Sequence, residues 1–407
     1  MRRLSADYIF PIASEPIKNG VITVDADGTI VSIEKPGDGV KAEYYKGIIC
    51  PGFINTHCHL ELSHMRSRIP EKLGMAGFIK SIVTERTRLS EEQLQDAIAA
   101  AEKEMIDNGI VAVGDISNNN STFRQKAKGN ILYHTFIEVF DLNPDKAQAS
   151  FAAGLTLQQE LSGLNLRSSI VPHAPYTVSE NLLELIDGHA AKTKGIVSIH
   201  NQESKAESEL FISHSGPIYE AFKAMGINTA VLRKTGVNAL KSTLPHLKNA
   251  SNLLLVHNTY TTREDIKWAK EIMEKGGGEM RNGNTSHITS HISHLYWCTC
   301  PNANLYIENT LPDYNNFIAA KVLVTIGTDS LASNWSLSVL DELKTISTYY
   351  PDIPLQTLLL WATGNGAALL GLNHLGTLEK GKKPGLNLLT GIEEMKITKA
   401  TKVTRLL

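Results

Sequence analysis

Cysteine is scarce, with four in 407 residues. Cys50 and Cys58 lie eight apart and Cys298 and Cys300 two apart, so neither pair has CxxC spacing, and four are too few for a disulfide framework in a chain this long. Free thiols persist in a reducing compartment, and the cytoplasm is the expected location. Charge of one sign is also lacking: the net charge is −2. No basic face offers itself to nucleic acid and no basic cluster to a membrane surface. Long hydrophobic runs are missing as well. Near the start, Pro11 and Glu15 interrupt the apolar patch that follows two arginines, short of the ~7–15 apolar residues of a secretory core. No run approaches the ~18 apolar residues of a spanning helix. What remains is an enzyme-like globular chain whose expected partner is a small-molecule substrate.

Hydrophobic residues make up 42% of the chain and charged residues 20%, enough for a large core. Both ends read as short strands. Val21–Val24 and Ile30–Ile33 flank an Asp27-Gly28 turn signal, and Gly376, Gly381, Gly385 and Gly391 punctuate short apolar runs near the other end. One small sheet built from both termini is expected. The middle alternates short apolar runs with helical stretches. The runs are Phe53–His57, Ile110–Asp115, Ile131–Glu138, Ser169–His173, Ile196–His200, Leu253–His257, Tyr296–Cys300 and Leu323–Asp329. Glu91–Asp107, Asn181–Lys192 and Thr262–Met273 have helical apolar spacing. Eight such units predict an α/β fold, a (β/α)8 barrel whose active site lies at the C-terminal ends of its strands.

The strand-end residues are His57, Asp115, Glu138, His173, His200, His257, Cys300 and Asp329. His57 and His59, two apart on an extended segment, face one side, with Cys58 facing the other. Two imidazoles joined by His200 and Asp329 form a donor set suited to Zn²⁺ or Fe²⁺.

The segments Pro51-Gly52-Phe53-Ile54-Asn55-Thr56-His57-Cys58-His59, His200 with Glu203, His257, and Gly327-Thr328-Asp329-Ser330 resemble the amidohydrolase superfamily. More narrowly they resemble its mononuclear aminohydrolase branch of cytosine, guanine, adenosine-type, adenosylhomocysteine-type and aminodeoxyfutalosine-type deaminases, with the related chlorohydrolases. The likeness extends over nearly the whole chain. It implies a distorted (β/α)8 TIM barrel over 51–371 and a small β-sandwich domain from 1–50 and 372–407. It implies one divalent metal ion, Zn²⁺ with Fe²⁺ as the alternative, on His57, His59, His200 and Asp329. His173 stands where binuclear members carry a bridging lysine, which fits a single ion. The resemblance assigns Glu203 as general acid/base, His257 as the group that orients the attacking water, and Asp329 as a second proton acceptor. It implies a hydrolytic deaminase of an aminated, purine-nucleoside-like heterocycle. Hydrolysis of a cyclic amide or a carbon–chlorine bond by the same site is the alternative, and a catalytically inactive barrel the remote one. The resemblance is compatible with a homodimer.

Substrate contacts are expected from Glu61, which follows the metal pair, from His173 in Val171-Pro172-His173-Ala174-Pro175-Tyr176-Thr177-Val178-Ser179, and from Asn302 in Cys300-Pro301-Asn302-Ala303-Asn304-Leu305. The segment 276–294, with three glycines in a row and His287 and His291, departs from the family pattern and reads as an inserted loop near the mouth.

Overall fold

The computed structural model describes residues 1–35, 41–85, 90–275 and 295–407. The expected loop 276–294, with His287 and His291, lies outside them. Eight parallel strands fall into two four-stranded sheets. The first runs Phe53–Cys58, Ile110–Ser117, Leu132–Val139 and Arg167–Pro172. The second runs Ile196–Asn201, Asn252–His257, Leu295–Thr299 and Leu323–Ile326. Backbone hydrogen bonds join the sheets at both seams. His200 N–H donates to the His173 carbonyl at 3.0 Å, and the Thr328 and Asp329 N–H groups both donate to the His57 carbonyl at 3.0 Å. The C-terminal ends of all eight strands are therefore drawn toward one another.

These strands are near-continuous apolar runs because both of their faces are covered. Ile110–Ser117 is buried along its whole length. Alternate residues belong to two cores, as the period of two requires. Ile54, Ala112, Phe136, Val171, Leu254 and Val256 form one buried cluster. Phe53, Val113, Ile137, Ile170, Leu255 and Val324 pack instead with Ile98, Leu182, Ile266 and Leu343 from flanking helices. Each buried aliphatic side chain contributes about 1.5–3 kcal/mol relative to exposure.

The helices begin where the capping chemistry places them. Ser90 accepts from the Gln93 N–H, and the Gln93 side chain returns to the Ser90 N–H, opening Glu91–Asp107. Thr262 was expected inside its helix but caps it. Its Oγ1 accepts from Asp265 N–H at 3.1 Å while Asp265 Oδ2 accepts from Thr262 N–H at 3.2 Å, so the helix is Arg263–Lys275.

The chain ends meet in one seven-stranded sheet. Its order is Lys402–Arg405, Leu386–Thr390, Glu43–Pro51, Arg2–Ile9, Val21–Val24 and Ile30–Glu34, with Ile17–Lys18 paired to Arg2–Ile9. All seven strands are hydrogen-bonded into this one sheet, built from both chain ends as expected. Glu43–Pro51 passes directly into the first parallel strand through Gly52. A Cβ at Gly52 would lie 2.3 Å from Val111 Cγ1 and 2.9 Å from the Pro384 carbonyl, so only glycine fits this junction.

Candidate active site

His57 lies one residue before the end of the first parallel strand with its side chain fully buried, and His59 follows immediately after that strand. Their rings lie 4.9 Å apart. His200, from the fifth strand, brings its Nε2 to 3.4 Å from His59 Nε2. Asp329 closes the group from the loop after the eighth strand. Its Oδ1 lies 3.8 Å from His57 Nε2 and 3.6 Å from His59 Nε2. Asp329 has φ +57° and His257 φ +71°, left-handed conformations that non-glycine residues rarely adopt and that gather at functional sites.

The donors are held from outside. His200 Nδ1–H donates to the His173 carbonyl at 2.6 Å, which leaves Nε2 as the lone-pair atom facing His59. Ser333 Oγ–H donates to Asp329 Oδ2 at 2.7 Å, turning Oδ1 toward the imidazoles. Asn55 Oδ1 accepts from the N–H groups of His57 and Thr328, tying the two seam residues together. Burial, then the neighbouring histidines, holds the His57 pKa well below its usual value. Burial brings His200 down to about 4. Both are neutral imidazoles near pH 7, the form that binds a metal.

Neither ring nitrogen of His57 has a hydrogen-bond partner among the described residues. A buried polar group left so is costly. A cation held by His57, His59, His200 and Asp329 would give one of these nitrogens a partner, and three imidazoles with one carboxylate are a donor set that Zn²⁺ accepts.

A second group faces this one. Glu203 Oε1 is 3.5 Å from His257 Nε2, and ligand atoms of Glu203, His257 and Asp329 all lie within 4.8 Å of one another. Asn304 Oδ1 accepts from His257 Nδ1–H at 2.9 Å, leaving the Nε2 lone pair toward Glu203. Burial brings His257 down to about 4. Burial first, then the carboxylates of Asp329, Glu207 and Glu308, raises Glu203 well above the ordinary glutamate range.

These side chains open onto a cavity of about 230 Å³. His59, His173, His200, Glu203, His257 and Asp329 line it, together with Asn118, Glu138, Phe140, Tyr176 and an apolar wall from helix Gly74–Glu85. Two expected substrate contacts lie elsewhere. Glu61 is outside the lining, buried in the 3-10 turn Leu60–Met65, with its Oε2 accepting from Asn118 N–H at 3.0 Å. Asn302 is also outside the lining: its N–H donates to Glu342 and its Oδ1 accepts from Thr345. Asn304, also outside the lining, is the asparagine that touches a lining side chain, His257. Sequence reading also passed over Asn118 as a lining residue and Glu138 as more than a strand end. The strand-end rule already pointed at Glu138, whereas nothing in the run Asn118-Asn119-Asn120 singled out its first member.

The amidohydrolase family model matches residues 48–405. An adenosine deaminase of Helicobacter pylori is 26% identical over 375 residues, covering 90% of this chain and 85% of that protein. The structure of a Helicobacter pylori aminofutalosine deaminase in complex with methylthio-coformycin superposes with a TM-score of 0.77 at 22% identity, covering 97% of this chain and 93% of the other. That of a Xanthomonas campestris adenosine deaminase with bound zinc gives 0.66 at 20% identity, over 95% and 84% of the two chains. Carried by a match that spans nearly the whole chain, and consistent with the His57, His59, His200 and Asp329 cluster, the chain belongs to the amidohydrolase family.

Proposed function

We propose that this protein is a metal-dependent aminohydrolase that replaces the exocyclic amine of a purine-nucleoside-like substrate with oxygen and releases ammonia. The observation that carries the reading is His57, fully buried with neither ring nitrogen hydrogen-bonded among the described residues, within a histidine–aspartate cluster that faces Glu203 and His257. The adenosine and aminofutalosine deaminases it resembles support the substrate class. The zinc bound to a relative of the same fold supports Zn²⁺ as the ion.

His57, His59, His200 and Asp329 would hold that ion, whose chemistry is to lower the pKa of water from 15.7 to about 7 and so supply a nucleophile at neutral pH. The protein's own groups do the rest. Glu203 takes one proton of the attacking water and delivers it to the ring nitrogen beside the carbon under attack. Its burial raises its proton affinity, which suits a carboxylate that must first accept and then hand on a proton. His257 presents Nε2 to the water and orients it, its tautomer set by Asn304. Asp329 receives the second water proton and passes it to the departing amine, which leaves as ammonia while the ring carbon becomes a carbonyl. Water and amine in, lactam and ammonia out, balances atoms and protons.

The hydrogen-bonded seams support closure of the two parallel sheets into one distorted (β/α)8 barrel over 51–371, with 1–50 and 372–407 as the small β domain. The four buried free thiols fit a cytoplasmic setting.

The test is ammonia release by zinc-loaded protein from adenosine, aminodeoxyfutalosine, guanine, cytosine and a cyclic amide, with Glu203→Gln as the blank. Ammonia from an adenine nucleoside, absent in the blank, is expected, with one zinc per chain in both proteins and none in His57→Ala. Turnover of the amide alone would overturn the deaminase reading.

A further inference from the structure

The reacting groups stand on strand ends and the loops that leave them, but the apolar wall of the cavity is held in another way. It comes from the helix Gly74–Glu85, whose Met75, Phe78, Ile79, Ile82 and Val83 line the cavity. Only Met75 of its twelve residues is buried. Phe78, Ile79 and Ile82 are half-buried against neighbouring clusters. A helix that buries so little of itself has little packing of its own to fix its place.

Its place is fixed at its N-terminus by another helix, Pro301–Glu308. Glu308 Oε1 accepts from Met75 N–H at 2.7 Å. The Tyr306 carbonyl accepts from Lys72 N–H, and the Tyr306 hydroxyl donates to the Ile69 carbonyl. These bonds hold the turn in which Lys72 has φ +61° and Gly74 φ +66°. A carboxylate on an N–H group at the start of a helix makes a charge-assisted bond and meets the positive end of the helix dipole. Four residues before Glu308, on the same face, Asn304 holds His257. One helix face therefore reaches the catalytic histidine at one end and the apolar wall at the other. Glu308 itself does not line the cavity, and its Oε2 accepts from the Tyr260 hydroxyl at 3.4 Å.

We propose that Glu308 is a positioning residue for the substrate, docking the helix Gly74–Glu85 so that the apolar wall stands preformed beside the histidine–aspartate cluster. The proposal rests on the aminohydrolase reading above and adds to it a residue that acts on binding through the wall. A wall that has to be ordered when substrate arrives costs affinity, and a wall already in place does not. Loss of the carboxylate therefore falls on KM, whereas the reacting groups, held elsewhere, keep their geometry.

Ammonia release and amide hydrogen exchange test this on zinc-loaded wild type, Glu308→Ala, Glu308→Gln and Asn304→Ala, using the best substrate of the panel above. Glu308→Ala is expected to raise KM by about 10-fold and to leave kcat within about threefold. Amide exchange in the helix Gly74–Glu85 should speed up by about 10-fold, with that of the strand Ile110–Ser117 unchanged. Glu308→Gln keeps an oxygen acceptor for Met75 N–H and should stay within about threefold of the wild type in both readouts. Asn304→Ala, at the other end of the face, should instead lower kcat with little change in KM. A Glu308→Ala protein that loses kcat as Asn304→Ala does, or whose wall helix exchanges at the wild-type rate, would overturn the proposal and leave the aminohydrolase reading intact. Ammonia from no member of the panel would overturn that reading, and with it the substrate role of Glu308.

Discussion

Lys126 and Asp115 are both fully buried, 2.6 Å apart, beneath the loop that carries His59. Lys126 also donates to Ser117 Oγ and Thr135 Oγ1, and Asp115 Oδ1 accepts from Leu60 N–H at 2.8 Å. The pair therefore shapes the residue next to His59 without lining the cavity. Removing one partner of a buried pair leaves an uncompensated charge, at a cost of about 3–5 kcal/mol. Lys126→Met should lower the unfolding free energy by that amount in denaturant titrations, and adding Asp115→Asn should restore a large part of it. A Lys126→Met protein as stable as the wild type would show that Asp115 is not charged there. The same scale shows where sequence reading stops. Asn302 and Asn304 sit on one helix, Pro301–Glu308, and two residues turn about 200° around a helix axis, so only one of them can meet His257. Spacing alone does not say which. Glu61 is close to the histidine pair in the chain, but the 3-10 turn carries its carboxylate behind Asn118.

At the scale of elements, the helix Lys205–Ser213 holds the segment that carries Glu203. Ser204 caps it, and Glu207 reaches back so that Oε1 accepts from Gln202 N–H at 3.1 Å and Oε2 from Glu203 N–H at 2.9 Å. This clamp fixes a loop in which Gln202 has φ +45°. Burial, only partly offset by those N–H groups, raises Glu207 to about 7. In the folded state Glu207 therefore keeps a proton that the unfolded chain releases near pH 4.5. Its contribution to stability is present below pH 4.5 and is lost as the pH rises to about 7. The difference in thermal midpoint between wild type and Glu207→Gln should move against the wild type over that range and level off above it. A difference independent of pH would contradict the raised value. Elements were the most legible level. All eight expected runs correspond to strands, with ends displaced by at most three residues, because apolar runs covered on both faces stop where the chain turns polar. The largest displacement is at Leu323–Ile326, where Gly327, Thr328 and Asp329 leave the strand to reach His57. A Cβ on Gly327 would lie 2.8 Å from both His57 Cβ and Cys298 Sγ, so glycine is what lets this segment close in.

For the whole molecule, the single sheet expected from both chain ends is present, with Glu43–Pro51 paired between Arg2–Ile9 and Leu386–Thr390. His57, His59, His200 and Asp329 stand at or just past strand ends, which is where the sequence pattern directs attention, and the structure brings them together. Their distribution has a mechanical consequence. His57 and His59 belong to the first parallel sheet and its outgoing loop, whereas His200 and Asp329 belong to the second sheet and its outgoing loop. An ion held by all four would cross-link the two sheets at a point where the described contacts are otherwise the seam hydrogen bonds and side-chain packing. A ligand that binds the folded state alone stabilises it by mass action, by about 4 kcal/mol at a thousand times its Kd. Protein stripped with a chelator should therefore melt several degrees below zinc-loaded protein, and its midpoint should climb with added zinc until the four donors are saturated. His57→Ala should melt at one temperature with or without the ion, because a three-donor remnant confined to His59, His200 and Asp329 binds far more weakly. Coincident melting curves for stripped and loaded wild type would mean that the ion does not bridge the sheets, and would return the unsatisfied nitrogens of His57 to being a cost that the fold bears unaided.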